Sequence, residues 1–206
     1  MDISGGVVSS LAVTSGSEVS VSGGAIPGDL RIEKEGNAVI TGGTIYNLYV
    51  MDGGAATVQG GTIERNVRTQ DGGELNLTGG IFEYFVTAES GSTIDISGGS
   101  FGSNLHAAAG SIVSIKGSDF LLDGVPVSGL VPGEPFEITY ADSDSIISGV
   151  LADGTPFEFE YDLNCRGRCE RGIDVGATLF LVQIPEPQSF VLAITALCLV
   201  TRRHRY

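Results

Sequence analysis

Histidine is the first residue type to consider for chemistry, because it supplies the general base in Ser-His-Asp and Cys-His catalysis. The chain has two histidines, His106 and His204. His204 belongs to a basic C-terminal cluster, and His106 lies in the small-residue segment 104–109, where we expect a solvated or corner position. The sequence therefore indicates no histidine-centred catalysis, and it has no glycine loop at a strand-to-helix turn of the kind that holds a phosphate.

Charged side chains could serve a second chemistry, the cleavage of polysaccharides by residues clustered on one face of a β-helix. The candidates all lie in the first half of the chain: Arg31, Glu33, Lys34, Glu35, Glu64, Arg65 and Arg68. Arg31 and Arg68 take equivalent positions in a repeat, two units apart, and no carboxylate recurs beside them. We therefore predict a non-catalytic protein and keep a carbohydrate-active β-helix enzyme as an alternative.

Cysteine and aspartate are the remaining candidates for special chemistry. Cys165 and Cys169 enclose a three-residue segment, and outside the cytoplasm they would close a local disulfide. A metal site there would need further ligands, and the region has no histidine. Calcium would need six to eight oxygens on a defined loop, so the dispersed aspartates of the C-terminal third are better explained as turn formers; they are Asp142, Asp144, Asp153 and Asp162. We predict no metal and no cofactor.

The composition limits the partners of this 206-residue chain. It has 25 acidic and 11 basic residues and a net charge of −14, a balance that disfavours nucleic acid and anionic lipid as partners. The chain has 31 glycines, and glycine-rich chains are often disordered, but 42% of the residues are hydrophobic. Burial of a substantial core is therefore possible.

A repeat of 18–19 residues runs through residues 1–120. It is marked by glycine pairs that begin at Gly5, Gly23, Gly42, Gly60, Gly79 and Gly98, with a lone Gly117. Three positions relative to this glycine are apolar in every unit. Two before it stand Ile3, Val21, Ile40, Val58, Leu77, Ile96 and Ile115; four before it stand Met1, Val19, Ala38, Ala56, Leu75, Ile94 and Val113; three after it stand Val8, Ile26, Ile45, Ile63, Phe82, Phe101 and Phe120.

The spacing inside each unit is that of β-strands, since apolar residues alternate with Ser, Thr, Asn or Asp. A looser apolar pair recurs midway, at Leu11/Val13, Leu30/Ile32, Leu48/Val50 and Leu105/Ala107, and another glycine follows it. Each unit thus reads as strand, glycine corner, strand, glycine corner. Units this small bury their apolar side chains only by stacking. We predict an all-β fold in which a parallel β-solenoid of six to seven coils, about 30 Å long at about 4.8 Å per coil, occupies residues 1–120.

One face of the predicted solenoid offers a ligand surface. The residues just before each glycine, together with those two positions earlier, should point outward as two ladders of small polar groups. The candidates for this face are Ser22, Thr41, Thr57, Thr78 and Ser97. Flat hydroxyl-rich solenoid faces bind ice or sugar chains, so an ice- or polysaccharide-binding solenoid is the first alternative function. Gln59, Asp95 and Lys116 interrupt the regularity.

Residues 121–183 break the repeat and predict a small β-rich module. Alternating strands at Ser145–Leu151 and Pro156–Tyr161 flank the Asp153-Gly154 turn, which is a hairpin signal. A last strand is expected at 177–182. We expect the module to cover the open end of the solenoid, because an uncovered edge would template aggregation.

The C-terminal residues 184–206 have the features of a membrane address. Pro185-Glu186-Pro187 is followed by an apolar run of 11 residues from 190 to 200 and then by Arg202, Arg203 and Arg205. This order resembles the PEP-CTERM sorting signal of bacterial surface proteins, and the stretch 149–156 looks like the segment that commonly precedes such tails. The run is shorter than the roughly 20 residues of a spanning helix.

This resemblance implies export through the general secretory route and a transient anchor in the inner membrane by a short helix. It also implies cleavage near Pro185-Glu186-Pro187 by a membrane transpeptidase of the exosortase type. We therefore expect an exported structural protein of the cell surface or extracellular matrix, with extracellular polysaccharide as a candidate partner. Because Met1 falls partway through a coil and no leader precedes it, we also expect an upstream start that encodes a signal peptide and the rest of that coil.

Overall fold

The computed structural model describes residues 1–102, 105–138, 145–161, 172–174 and 176–185. The fold of these residues is all-β, and they contain no helix. Successive coils pair in parallel, so the chain forms a parallel β-solenoid of about six turns, as the repeat predicts. The predicted C-terminal targeting helix falls on residues outside the described part.

Within residues 1–102 and 105–122, twelve strands build the solenoid. They are β1 (Asp2–Val7), β2 (Leu11–Val13), β3 (Glu18–Ile32), β4 (Asn37–Val50), β5 (Ala55–Val58), β6 (Thr62–Ile63), β7 (Val67–Thr69), β8 (Glu74–Phe82), β9 (Val86–Ala88), β10 (Thr93–Phe101), β11 (Leu105–Ala107) and β12 (Ile112–Leu122). The long strands β3 and β4 each run through a whole coil, and register shifts within them mark the bends.

Each coil has three strand segments rather than the two that the sequence indicates. Face A consists of segments 18–21, 37–40, 55–58, 74–77, 93–96 and 112–115. Face B consists of segments 25–26, 44–45, 62–63, 81–82 and 100–101. Face C consists of segments 11–13, 30–32, 48–50, 67–69, 86–88 and 105–107. Face B is short and carries one inward residue per coil, which is why it escapes a search for alternation.

The predicted apolar columns form the core. From Val19 onward both columns of face A are buried, and Ile26, Ile45, Ile63 and Phe82 of face B are buried as well. Three outcomes differ from the prediction: Met1 is 67% exposed, and Val8 and Phe101 are only half-buried. Phe101 still stacks on Phe82, with ring centroids 5.1 Å apart. The column is thus continuous, with partial exposure at Val8 and Phe101, and Phe120 at its end is buried again.

The two glycines of each pair have different roles. A Cβ on the first glycine would collide with the coil below, as at Gly79, where it would lie 2.5 Å from Gln59 O. The second glycine has a positive φ, for example 101° at Gly80, a conformation that residues with a Cβ rarely adopt. Close stacking therefore requires the first glycine, and the bend from face A to face B requires the second.

The variation between 18 and 19 residues per coil is confined to the corner between faces B and C. Two residues separate Ile45 from Leu48, whereas three separate Ile63 from Val67. From face C to the next glycine pair the spacing is constant: Gly60 and Gly79 each lie 12 residues after Leu48 and Val67. The core register is therefore independent of this corner.

Among the described residues after 122, six further strands follow the solenoid: β13 (Val125–Pro126), β14 (Pro135–Glu137), β15 (Ser145–Leu151), β16 (Pro156–Tyr161), β17 (Gly172–Ile173) and β18 (Thr178–Gln183). Strands β17 and β18 add a further layer to the stack, since β17 pairs in parallel with β11 and β18 with β12. Strands β13 and β15 pair antiparallel with β12, and β14 pairs antiparallel with β18. The parallel stack thus ends in antiparallel strands that cover its last edge.

The hairpin of β15 and β16 has the bounds and the turn that the sequence predicts. Asp153 Oδ1 accepts a hydrogen bond from Thr155 N at 2.9 Å within the turn. Asp153 Oδ2 accepts a second one from Gly99 N at 2.8 Å. One carboxylate therefore shapes the turn and also fastens it to the last glycine pair of the solenoid.

Candidate functional site

The predicted ligand face lies on the outer side of face A. Ser22, Thr41 and Thr78 are exposed there, and Thr57 and Ser97 are half-exposed. Parallel pairing places equivalent residues of successive coils about 4.8 Å apart. These side chains therefore lie on the outer surface of face A, as the sequence predicts. Local hydrogen bonds occupy some of their hydroxyl groups.

Hydroxyl groups on this face are partly engaged with the preceding coil. Thr41 Oγ1 donates to Val21 O at 3.5 Å, and Thr78 Oγ1 donates to Val58 O at 3.3 Å. At the C-terminal end, Lys116 Nζ forms a salt bridge with Asp95 Oδ2 at 3.3 Å across the ladders. The face therefore offers few free donors in regular array.

A second surface, which the sequence did not indicate, runs along the outside of face C. The middle residue of each face C segment points outward, because its neighbours on either side are directed into the core. These middle residues form a single column: Ala12, Arg31, Tyr49, Arg68, Thr87 and His106. The column is rich in aromatic, cationic and hydrogen-bonding groups on a strongly acidic protein.

Each of the two arginines of the column is held by a carboxylate, but no carboxylate recurs at an equivalent position of the repeat beside them. Arg31 Nη2 lies 2.8 Å from Asp29 Oδ2, and Arg68 Nη2 lies 2.6 Å from Glu89 Oε1. Arg31 also lies over the Tyr49 ring, 5.7 Å from its centroid. Because the carboxylates come from different positions of the repeat, a search for a recurring neighbour misses them.

Asp29 belongs to a short polar ladder at the corner between faces B and C. Asn47 Nδ2 donates to Asp29 Oδ1 at 3.0 Å, and Asn66 Nδ2 donates to Asn47 Oδ1 at 3.2 Å. The bond from Asn47 is the main reason why the pKa of the Asp29 carboxyl is lowered; Arg31 adds to this effect, and partial burial opposes it. The Asp29 carboxylate is therefore fixed in its charged form beside Arg31.

The widest part of this surface is a groove of about 480 Å³ over the later coils, lined by Tyr49, Asn66, Arg68, Tyr84, Phe85, Thr87, Glu89 and His106. Two further depressions continue the groove towards the first coil. The first shares Tyr49 and Arg68 with the groove, and the second shares Arg31 with the first. From Ala12 to His106 the surface spans five coil spacings, or about 24 Å. We call this continuous surface the face C groove.

Aromatic residues form one wall of the face C groove. The rings of Tyr84 and Phe85 meet edge to face with centroids 4.3 Å apart. Arg65 lies between Tyr46 and Tyr84, 5.8 and 5.7 Å from their centroids. Arg65 therefore packs against the Tyr84 ring and holds it at the rim of the groove, where Tyr84 is 41% exposed.

The sequence suggests a solvated or corner position for His106; the residue lies in the middle of strand β11 and not at a corner, and it is half-exposed on the outer side of face C. It pairs with Thr87 of one coil and Gly172 of the covering layer. Its Nδ1 donates to Gly172 O at 3.1 Å. This bond ties the end of the groove to strand β17.

Several predicted site residues lie outside the described residues. These are Glu186, Pro187, Arg202, Arg203 and Arg205 of the sorting signal, the Cys165–Cys169 pair, and Asp142, Asp144 and Asp162. Pro185 is described and exposed. In the described ranges no three His, Cys, Asp or Glu side chains are grouped as metal ligands, and no helix there is long and apolar enough to cross a membrane.

Comparison with known proteins returned no match for this chain, whether against family models, curated proteins or solved structures.

Proposed function

We propose that this chain is an exported, non-catalytic structural β-solenoid of the bacterial cell surface or extracellular matrix, processed through a C-terminal sorting signal of the PEP-CTERM type. Its partners would be an exosortase-like enzyme and, before cleavage, the inner membrane. The sequence of the tail suggests this proposal. The place where the last described strand ends supports it.

That place is the observation on which the proposal rests. Strand β18 ends at Gln183, and Ile184 N donates to Gly117 O at 2.8 Å. Pro185 follows directly and is exposed. The Pro-Glu-Pro motif thus begins as soon as the backbone leaves the sheet. A membrane-bound enzyme could reach the exposed Pro185 without unfolding the solenoid, whose end is already covered by β14, β15 and β18.

The test is intact-mass measurement of the protein released by a bacterial host that carries an exosortase. We expect a mature form that ends near Pro187 and lacks Cys198 and the arginine cluster. A triple variant with alanine at Pro185, Glu186 and Pro187 should stay with the membrane at full length, while an Ile81→Ala control is processed normally. Recovery of the complete chain, including Arg205, outside the cell would contradict the proposal.

A further inference from the structure

We propose that the face C groove binds a neutral polysaccharide chain that lies along the solenoid axis. This inference goes beyond the proposed export and does not depend on it, since a folded chain that never leaves the cell would carry the same groove. It also assigns a different surface from the Ser/Thr ladders of face A.

The shape of the groove favours a polymer. It is open and runs over all six coils for about 24 Å, with depressions that share Arg31, Tyr49 and Arg68. A small molecule would contact only one of these depressions. An extended chain can lie against all of them, with successive units meeting successive coils.

The chemistry of the groove favours sugar rings. A pyranose has an apolar C–H face, which packs on an aromatic ring, and hydroxyls around its edge, which need planar donors and acceptors. Tyr49, Tyr84 and Phe85 supply the rings. The Arg68–Glu89 pair supplies donors and an acceptor that are already held in place by their own ion pair at 2.6 Å. Such preorganisation lowers the entropic cost of binding.

The charge of the groove favours a neutral ligand over an acidic one. Asp29 and Glu89 neutralise Arg31 and Arg68, and Arg65 shares its corner with the exposed Glu64 and Glu83. The surface thus has little net positive charge to offer an anion. The whole chain carries −14, which repels polyanions at long range.

The test is native affinity electrophoresis of the full 206-residue chain in gels that contain hydroxyethyl cellulose, laminarin, galactomannan or dextran, with alginate and polygalacturonate as acidic probes. We expect at least one neutral polysaccharide to retard the protein, with little effect of added salt. Tyr84→Ala and Tyr49→Ala should each weaken the interaction about tenfold through loss of ring stacking, whereas Tyr49→Phe should restore it.

Ile81→Ala is the matched control, because Ile81 is 49% exposed in the same coil as Tyr84 but does not line the groove. Circular dichroism checks that each variant is folded. If Tyr49→Ala does not fold, the binding of Tyr84→Ala alone decides the test. The proposal is overturned if no neutral polysaccharide retards the chain, which is the result expected if the groove binds a protein instead. It is also overturned if only the acidic probes act and salt abolishes their effect, or if Ile81→Ala weakens binding as much as Tyr84→Ala.

Discussion

The solenoid coils and the C-terminal strands solve the same problem in opposite ways. In the coils, equivalent residues of successive repeats stack in parallel, so each coil buries the apolar side chains of the next. In the C-terminal part, residues without any repeat join the stack from separate segments: β17 extends face C, β18 extends face A, and β15 pairs antiparallel with β12. Periodicity can build a stack, but only a non-repeating segment can end it.

The largest expected effect comes from a charge in the face B column. Phe82 is 1% exposed and stacks between neighbouring coils, so Phe82→Asp would bury an unpaired carboxylate and cost more than about 4 kcal/mol of unfolding free energy. We expect loss of the β-sheet signal in circular dichroism.

Ile81→Asp is the control for this variant, since the adjacent side chain points outward and is 49% exposed. It should stay folded. A Phe82→Asp protein that is soluble and has an unchanged β-sheet spectrum would contradict the stacked-column core.

A second prediction asks whether the two regions unfold as one unit. Leu181 is fully buried and pairs with Ile115 across the junction, while Leu77 is fully buried within the coils. Leu181→Ala and Leu77→Ala should each cost about 2–5 kcal/mol through the cavity they leave. Both should lower the midpoint of one common transition in chemical denaturation.

Val125→Ala provides the control for this pair, because that side chain of the C-terminal strands is 65% exposed and should change stability little. An early separate transition in Leu181→Ala, with the main transition unmoved, would show that the C-terminal strands are an independent unit.

The smallest expected effect tests the reason for the first glycine of each pair. Gly79→Ala places a Cβ 2.5 Å from Gln59 O and should cost about 1–3 kcal/mol through a forced backbone shift. Gly5→Ala is its match in the first coil, where the Cβ would meet nothing within 4 Å. Urea denaturation of both variants is the measurement. Equal losses would mean that conformational freedom, and not close stacking, explains this glycine column.

The sequence predicts those parts of the fold that leave a repeated or local pattern of residues. The three apolar columns and the β15–β16 hairpin were predictable, because each leaves a local pattern of spacing or turn residues. The strand of face B was not visible, because it has only one inward residue per coil. The strand of face C left a recurring apolar pair, but the fourth coil puts Thr69 at a core position. That threonine is fully buried, and its Oγ1 lies 3.2 Å from Thr87 O and 3.1 Å from Ser92 Oγ. Its polarity interrupts the apolar pattern of face C in that coil.

The face C groove could not be predicted for a related reason. The sequence places Arg31 and Arg68 at equivalent positions, but Tyr49, Thr87 and His106 share their register without sharing a residue type. Their alignment becomes visible only when the face C segments of all six coils are known. The partners Asp29 and Glu89 come from different turns, and strand β17 reaches His106 from 66 residues further along the chain.

The corner between faces B and C has a consequence for how this protein can evolve. All the difference between 18- and 19-residue coils is absorbed there, and Tyr46, Arg65, Tyr84 and Phe85 lie at that same corner. A lineage can add, lose or exchange residues at this position while the apolar columns of the three faces keep their register. Mutation can thus explore new surface chemistry beside an unchanged scaffold, and the same site is the natural place to graft a loop by design.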